Sequence, residues 1–208
     1  MAIISNGTTI ANAGAFSVNL GSMVHIKTLT ASSSSTLSFV HGASSVVLDG
    51  TYPIYKFQFI NINPASNAGI EFQFNLSIDG GSNYNVTKTT SVFGANNAEN
   101  GGYEHLLVYS GFDLAQSTSD QVIAYNVGND SDECASGELT IFNPSNTTFM
   151  KHFITSSSTV SSDGSPEAES FYVGGYANTT SAVNAIQFKM ASGNIDAGKI
   201  KLYGIKDS

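Results

Sequence analysis

Residues 184–205 alternate apolar and polar side chains along two stretches of chain, and this pattern restricts the segment to β-strands. The apolar positions are Ile186, Phe188, Met190, Ile200 and Leu202. Because successive side chains of a strand point to opposite faces, each stretch has one apolar face and one polar face. We therefore predict a two-stranded β-hairpin in which Ile186, Phe188, Ile200 and Leu202 are buried in the interior of a two-sheet sandwich.

The same alternation recurs along most of the chain. It is strict over residues 70–78, and Asp79-Gly80-Gly81 directly afterwards indicates a hairpin turn. The alternation changes phase between Phe59 and Ile60, which predicts a β-bulge. Weaker strand patterns occupy residues 37–40, 86–93, 105–109, 122–127, 139–142, 149–155 and 171–176. About ten short strands and no convincing helical period are typical of an all-β protein with an antiparallel β-sandwich.

Composition divides the chain into two parts, an extended N-terminal arm at residues 1–23 and a β-sandwich domain at residues 24–208. The arm is polar and nearly uncharged, and Asn6-Gly7 indicates a turn in it. It either packs as a first strand of its own domain or lies across a neighbouring subunit. In the second case its apolar side chains are the candidate partner-binding residues: Ile3, Ile4, Ile10 and Phe16.

Charged residues are unusually scarce in this chain. They make up 12% of the sequence, about half the usual share, and the eight basic residues are all lysines against sixteen acidic residues. The net charge of −8 and the lack of a basic cluster argue against nucleic acid as a partner. No apolar run approaches the ~20 residues of a membrane helix, and no secretory signal is visible, so we expect synthesis in a cytoplasm and no membrane partner.

One loop carries three carboxylates within four residues: Asp130, Asp132 and Glu133. They could supply oxygen ligands to Ca²⁺, or they could form a solvated acidic turn. The glycine and the later glutamate of an EF-hand loop are missing, so we assign no metal. The remaining candidate ligands are far apart in the sequence, without the short spacing of a zinc site: His25, His41, His105, His152 and Cys134.

No catalytic motif is present. A Gly-x-Ser-x-Gly elbow is absent, and the glycine-rich segments do not lie between a strand and a helix. The two carboxylates of a glycosidase need not be close in sequence, so the sequence leaves such a pair open. We predict no catalytic residue and no cofactor, and we expect a protein that is not an enzyme.

Several tyrosines fall near loops or strand ends: Tyr84, Tyr103, Tyr109, Tyr125 and Tyr176. They either cover the open ends of the sandwich or stack on sugar rings. Under the second interpretation, Tyr84 and Tyr103 are the candidate glycan contacts.

Four segments have distinctive amino-acid sequences: 57–64 (FQFININP), 127–130 (VGND), 139–145 (LTIFNPS) and 182–205. The most specific segment is QFKMASGNIDAGKIKLYGI at residues 187–205. Together these segments resemble a family of virion structural proteins encoded by tailed phages of marine bacteria, such as cyanophages and pelagiphages. The resemblance covers approximately residues 24–206 and not the arm.

This resemblance implies a jelly-roll-like protein on the outside of a virion, with no catalytic residues to carry over. The first hypothesis is a capsid decoration or head-attached protein that binds the major capsid protein or other virion proteins and forms a homo-oligomer. The alternative is a tail or head fibre module that binds host-surface glycan through Tyr84 and Tyr103. Both the head and the tail of a particle are compatible with the resemblance.

Overall fold

The computed structural model describes residues 3–5, 8–12, 15–16, 22–65, 69–161 and 166–207. Within these ranges the chain forms fifteen strands and no helix, so an all-β antiparallel sandwich is confirmed. The strands are β1 (Ile3–Ser5), β2 (Thr8–Asn12), β3 (Ala15–Phe16), β4 (Met23–Thr30), β5 (Leu37–Val40), β6 (Ile54–Pro64), β7 (Ile70–Ser77), β8 (Lys88–Ala98), β9 (Glu104–Val108), β10 (Gln121–Val127), β11 (Ala135–Phe142), β12 (Lys151–Val160), β13 (Glu167–Ala177), β14 (Ala185–Met190) and β15 (Ile195–Ile205). A helix long and apolar enough to cross a membrane is absent from these same ranges.

The strands belong to three sheets. The large sheet has the order β4-β15-β6-β11-β12-β13-β8-β9, and the small sheet has the order β10-β7-β14-β5. Every pairing in them is antiparallel. A third, short sheet, β1-β2-β3, is formed by residues of the predicted arm, whose described strands pair with one another.

Eight of the strands pair in a nested order. Strand β4 pairs with β15, β5 with β14, β6 with β11 and β7 with β10, so the first of the eight meets the last. Two inserted strand pairs, β8–β9 and β12–β13, then extend the large sheet beyond β11. These four inserted strands carry the surfaces described below.

A cluster of phenylalanines joins the two main sheets. Phe188 on β14 is fully buried, and its ring lies 5.5 Å from that of Phe57 on β6 in the opposite sheet. Within the small sheet the same ring contacts those of Phe39, Phe72 and Phe74 at centroid distances of 5.9 to 6.4 Å. Burying one aromatic side chain of this kind contributes roughly 1.5–3 kcal/mol, so this cluster is a principal source of sandwich stability.

The predicted C-terminal strands are present, but they do not form a hairpin. The four apolar side chains of the prediction, at positions 186, 188, 200 and 202, are each at most 1% exposed. Strand β14, however, lies between β7 and β5 in the small sheet, whereas β15 lies between β4 and β6 in the large sheet. The hairpin prediction is therefore wrong, because alternation identifies a buried face and both sheets turn their buried faces to one interior.

The second predicted hairpin, at Asp79-Gly80-Gly81, is also wrong. The turn itself forms, with positive φ at both glycines and the Asp79 carboxylate accepting hydrogen bonds from Ser77 and Asn83. The chain then leaves the small sheet, and β8 pairs with β13 and β9 instead of β7. Turn chemistry thus determines the bend, and the pairing partner is decided elsewhere in the fold.

The predicted β-bulge in β6 is confirmed. Phe59 and Ile62 are both buried, while Asn61 between them is exposed and has a φ of +52°. The pairing of β6 shifts register here against both β11 and β15. The seven weaker strands of the sequence prediction are all present, and β5 has the predicted bounds.

Candidate functional site

The outward face of the inserted strands exposes five large apolar side chains, which we call the outer patch: Phe93, Leu106, Val108, Ile154 and Tyr172. Leu106 and Val108 are the most open, at 83% and 78% exposure. Single exposed apolar residues are common on proteins, but a contiguous group marks an interaction surface.

Strand register brings most of these side chains together. Tyr172 on β13 lies directly opposite Phe93 on β8, which lies opposite Val108 on β9. The rings of Phe93 and Tyr172 stack with centroids 5.2 Å apart and planes 15° apart. Leu106 follows on the same face of β9, beside a shallow depression of about 520 Å³ that is also lined by small residues such as Ala95 and Ser170. Four residues of the outer patch therefore form a continuous surface across β13, β8 and β9, and Ile154 lies on the adjacent strand β12 opposite Gly174.

Strand β9 is the last strand of the large sheet in the described part of the chain, and only β8 pairs with it. Its sequence, Glu104–Val108, contains neither proline nor lysine, the residues that commonly block a sheet edge. The free backbone groups of such an edge can pair with a strand of another chain. The edge and the outer patch are adjacent, so one partner can use both.

The two tyrosines predicted to contact glycan lie on different connections. Tyr103, in the turn between β8 and β9, is 39% exposed and stacks on His105 with ring centroids 5.4 Å apart. Tyr84 lies in the connection after β7 and is half-buried, with its hydroxyl against Gly81. Tyr103 thus lies beside the start of β9, and Tyr84 belongs to another part of the fold.

Two of the other tyrosines pack inward. Tyr109 and Tyr125 form an aromatic cluster with Phe112 and Phe171, with centroid distances of 5.1 to 6.5 Å. Their packing against the core agrees with the interpretation that tyrosines cover the ends of the sandwich.

The acidic loop closes on itself. The Glu133 carboxylate accepts a hydrogen bond from the backbone N–H of Asp130 at 3.0 Å, and the Asn63 side chain donates to the carbonyl of Glu133 at 2.8 Å. Among the described residues, no three His, Cys, Asp or Glu side chains are grouped so that they could hold a metal ion. Burial raises the pKa of the neighbouring Cys134 thiol. The loop geometry fits a hydrogen-bonded acidic turn.

Of the arm residues predicted to bind a partner, only the side chain of Ile4 is described, and it is 61% exposed on β1. The side chains of Ile3, Ile10 and Phe16 lie outside the described part. Partner binding by the arm stays a prediction.

Sequence reasoning did not identify two buried lysines. Lys88 on β8 donates to the Asn75 side chain at 2.6 Å and to the carbonyl of Val86 at 2.8 Å. Lys151 on β12 donates to the carbonyls of Phe149 and Thr179. Both occupy inward positions of an alternating strand, and this is the signal that could have revealed them.

No protein-family model, curated protein or solved structure matches this chain.

Proposed function

We propose that the protein is a structural component of a phage particle, a capsid decoration or head-attached protein that binds the shell and neighbouring subunits. The observation that carries this proposal is the outer patch beside the β9 edge. The amino-acid sequence of residues 187–205, which resembles that of phage virion structural proteins, supports the phage assignment.

The physical basis is burial of apolar area together with strand pairing. Each Å² of apolar surface removed from water contributes about 25 cal/mol. Tyr172 and Phe93 offer large, rigid side chains of the kind that supply much of the binding energy of interfaces. Pairing at β9 adds backbone hydrogen bonds, which fix the orientation of the partner.

We further infer that the sandwich is a jelly roll. The nested pairing of eight strands, first with last, is the order produced by folding a long antiparallel ribbon over into two sheets. Viral capsid proteins use this architecture, and so do lectins. The fold is therefore compatible with both capsid decoration and glycan binding. Experiments on the exposed surface residues have to discriminate between these two functions.

The first experiment measures binding of the purified protein to phage heads that lack it, by co-sedimentation, and self-association by light scattering. We expect saturable binding, and the variant Leu106→Lys should bind at least about tenfold more weakly because it places a charge in an apolar contact. The matched control is Ile78→Lys, which changes an exposed apolar residue outside the outer patch. Wild-type protein that binds neither heads nor itself would contradict the proposal.

The arm is tested separately by deleting residues 2–20. We expect a folded domain that is no longer incorporated into particles, because the apolar arm residues would be lost. Normal incorporation of the shortened protein would remove the arm from the interface and leave the outer patch as the contact.

A second candidate function, glycan binding on a tail or head fibre, is favoured by the Tyr103–His105 stack beside the 520 Å³ depression. It predicts saturable binding to host polysaccharide that is lost in Tyr103→Ala; loss in Tyr84→Ala instead would place the glycan site in the connection after β7. A glycan array without signal, combined with no binding to host cells, would remove this candidate.

A further inference from the structure

The inward face of the same inserted strands carries a group of oxygen-bearing side chains, which we call the oxygen cluster: Asn96, Thr159, Ser161, Glu167 and Glu169. Register places Glu169 directly between Thr159 on β12 and Asn96 on β8. Glu167 lies two residues earlier on the same face, and its carbonyl accepts from the backbone N–H of Ser161 at 3.1 Å. Adjacent strands are ~4.8 Å apart and alternate residues ~6.6 Å apart, so the cluster occupies a patch of about 10 Å.

Four of these side chains are buried and Asn96 is half-buried, and the cluster contains several oxygens without a hydrogen-bond partner. Glu167 is 5% exposed, Thr159 2% and Ser161 0%. One Glu167 carboxylate oxygen, the Thr159 and Ser161 hydroxyls and the Asn96 amide oxygen are all buried without a hydrogen bond. Buried polar atoms in native proteins are nearly always satisfied, so four unsatisfied oxygens on one face indicate a missing partner.

The cluster also contains two buried carboxylates, those of Glu167 and Glu169. The ion pairs of the described residues are Lys56–Glu138 and Lys189–Asp120, and neither involves Glu167. Glu169, two positions along, is 1% exposed and accepts a hydrogen bond from the Tyr109 hydroxyl at 2.5 Å. Burial chiefly, and then the hydrogen bond and negative charge of these glutamates, raise the pKa of Tyr109. A divalent cation between two buried carboxylates this close would offset the repulsion between their charges.

We propose that the oxygen cluster binds one hard divalent cation of the calcium class. Its donors are carboxylate, amide and hydroxyl oxygens, which hard cations prefer, and it offers no nitrogen or sulfur ligand. Two glutamates match the charge of such an ion. Calcium tolerates irregular geometry and several ligand types, whereas magnesium demands a small octahedron. The site is closed to a polysaccharide because both carboxylates are buried, so a glycosidase pair does not fit it.

The cation would join β12, β13 and β8 on the inward face, behind the outward-facing Ala168 and Ser170 of β13. Its binding is independent of the proposed function, because it depends only on the buried oxygens.

The test uses the full chain, equilibrium dialysis against calcium, and terbium luminescence as a probe of calcium sites. The protein has no tryptophan, so tyrosines absorb the exciting light, and Tyr109 adjoins the cluster. We expect one calcium ion bound per chain, saturable terbium emission that calcium displaces, and a Tm that rises with calcium concentration.

The variant Glu167→Gln should bind calcium at least about tenfold more weakly, as expected when a metal site loses a charged ligand. Thr159→Val keeps the charge and removes one oxygen, so it should weaken binding less, and it decides the question if Glu167→Gln does not fold. The control Glu104→Gln neutralises an exposed carboxylate on β9 and should bind as wild type does.

The proposal is overturned if the wild type binds no calcium, or if both cluster variants bind it like the control.

Discussion

Lys88 places an ammonium group in the interior of the sandwich, where it contacts oxygen atoms of Asn75 and Val86. Burial disfavours the charged form and lowers the pKa of Lys88 from 10.5 to about 8, while the Asp120 charge opposes this shift. The ordinary pKa returns on unfolding, so the folded chain binds fewer protons than the unfolded chain between these two values.

The free energy of unfolding should therefore rise with pH from about 8 to about 10, by roughly 2 kcal/mol from this residue. Above about pH 10 the effect is opposed by Tyr55, because burial raises the pKa of its hydroxyl to about 12. Urea unfolding at stepped pH measures the slope, which Lys88→Met should abolish. The control Lys206→Met, at an exposed residue, should retain it; a wild type without a slope in this window would contradict the burial effect.

The sequence contained the information needed to find Lys88. It alternates with Thr89, Ser91 and Phe93 on a predicted strand and shares its face with Val92, so periodicity places it inward. Its hydrogen-bond partner, Asn75, lies on β7 of the other sheet, and no local pattern identifies that residue. Local sequence patterns are equally limited for the oxygen cluster. The spacing of Glu167 and Glu169 places both on one face of a strand, but their neighbours Thr159 and Asn96 lie on other strands.

At the scale of elements, the bulge in β6 depends on a glycine in the facing strand. Gly198 on β15 has a φ of +109°, and a Cβ added there would lie 2.5 Å from the carbonyl oxygen of Asn61. An alanine would both strain the backbone and collide with the bulge.

Gly198→Ala should therefore lower the free energy of unfolding by more than about 1 kcal/mol. Gly174→Ala is the matched control, because Gly174 lies on a strand of the same sheet with open space where its Cβ would be. The control should stay within about 0.5 kcal/mol of wild type. Equal urea midpoints for the two variants would show that the bulge adapts without cost.

The strand predictions succeeded where the hairpin predictions failed, and both outcomes have one cause. The alternation of apolar and polar residues predicts that Phe188 and Leu202 are buried. A strand of either sheet has this alternation, so it does not identify the pairing partner. The choice of partner depends on which sheet the chain enters after a turn. The chain crosses between sheets after Met190 and after Ser77, and turn residues alone do not encode that choice.

At the scale of the whole molecule, the nested order means that the first strand of the sandwich, β4, is held in the sheet by the last strand, β15. Strand β15 lies between β4 and β6 in the large sheet, and Met23 of β4 pairs with Ile205. Removing β15 would leave β4 without its partner and expose the hydrogen-bonding edge of β6. Such distant pairings also require most of the chain to be ordered before the sheet can close.

Deleting residues 195–208 should therefore abolish cooperative thermal unfolding, observed by circular dichroism. The control is the protein without residues 2–20, which should retain a cooperative transition because β4 to β15 are intact. A cooperative transition in the C-terminal truncation would show that β4 is held by contacts other than β15.

The amino-acid sequence by itself determined the strands, their inward faces, the bulge in β6 and the all-β class, because these depend on side-chain alternation and turn residues that are local in the chain. Only the tertiary structure decided which strands pair, that Phe93 and Tyr172 meet on an exposed face, and that Glu167 lies across from Ser161. Those outcomes depend on pairings between residues far apart in sequence, and the free energy that selects them comes from burying both sheets against one another.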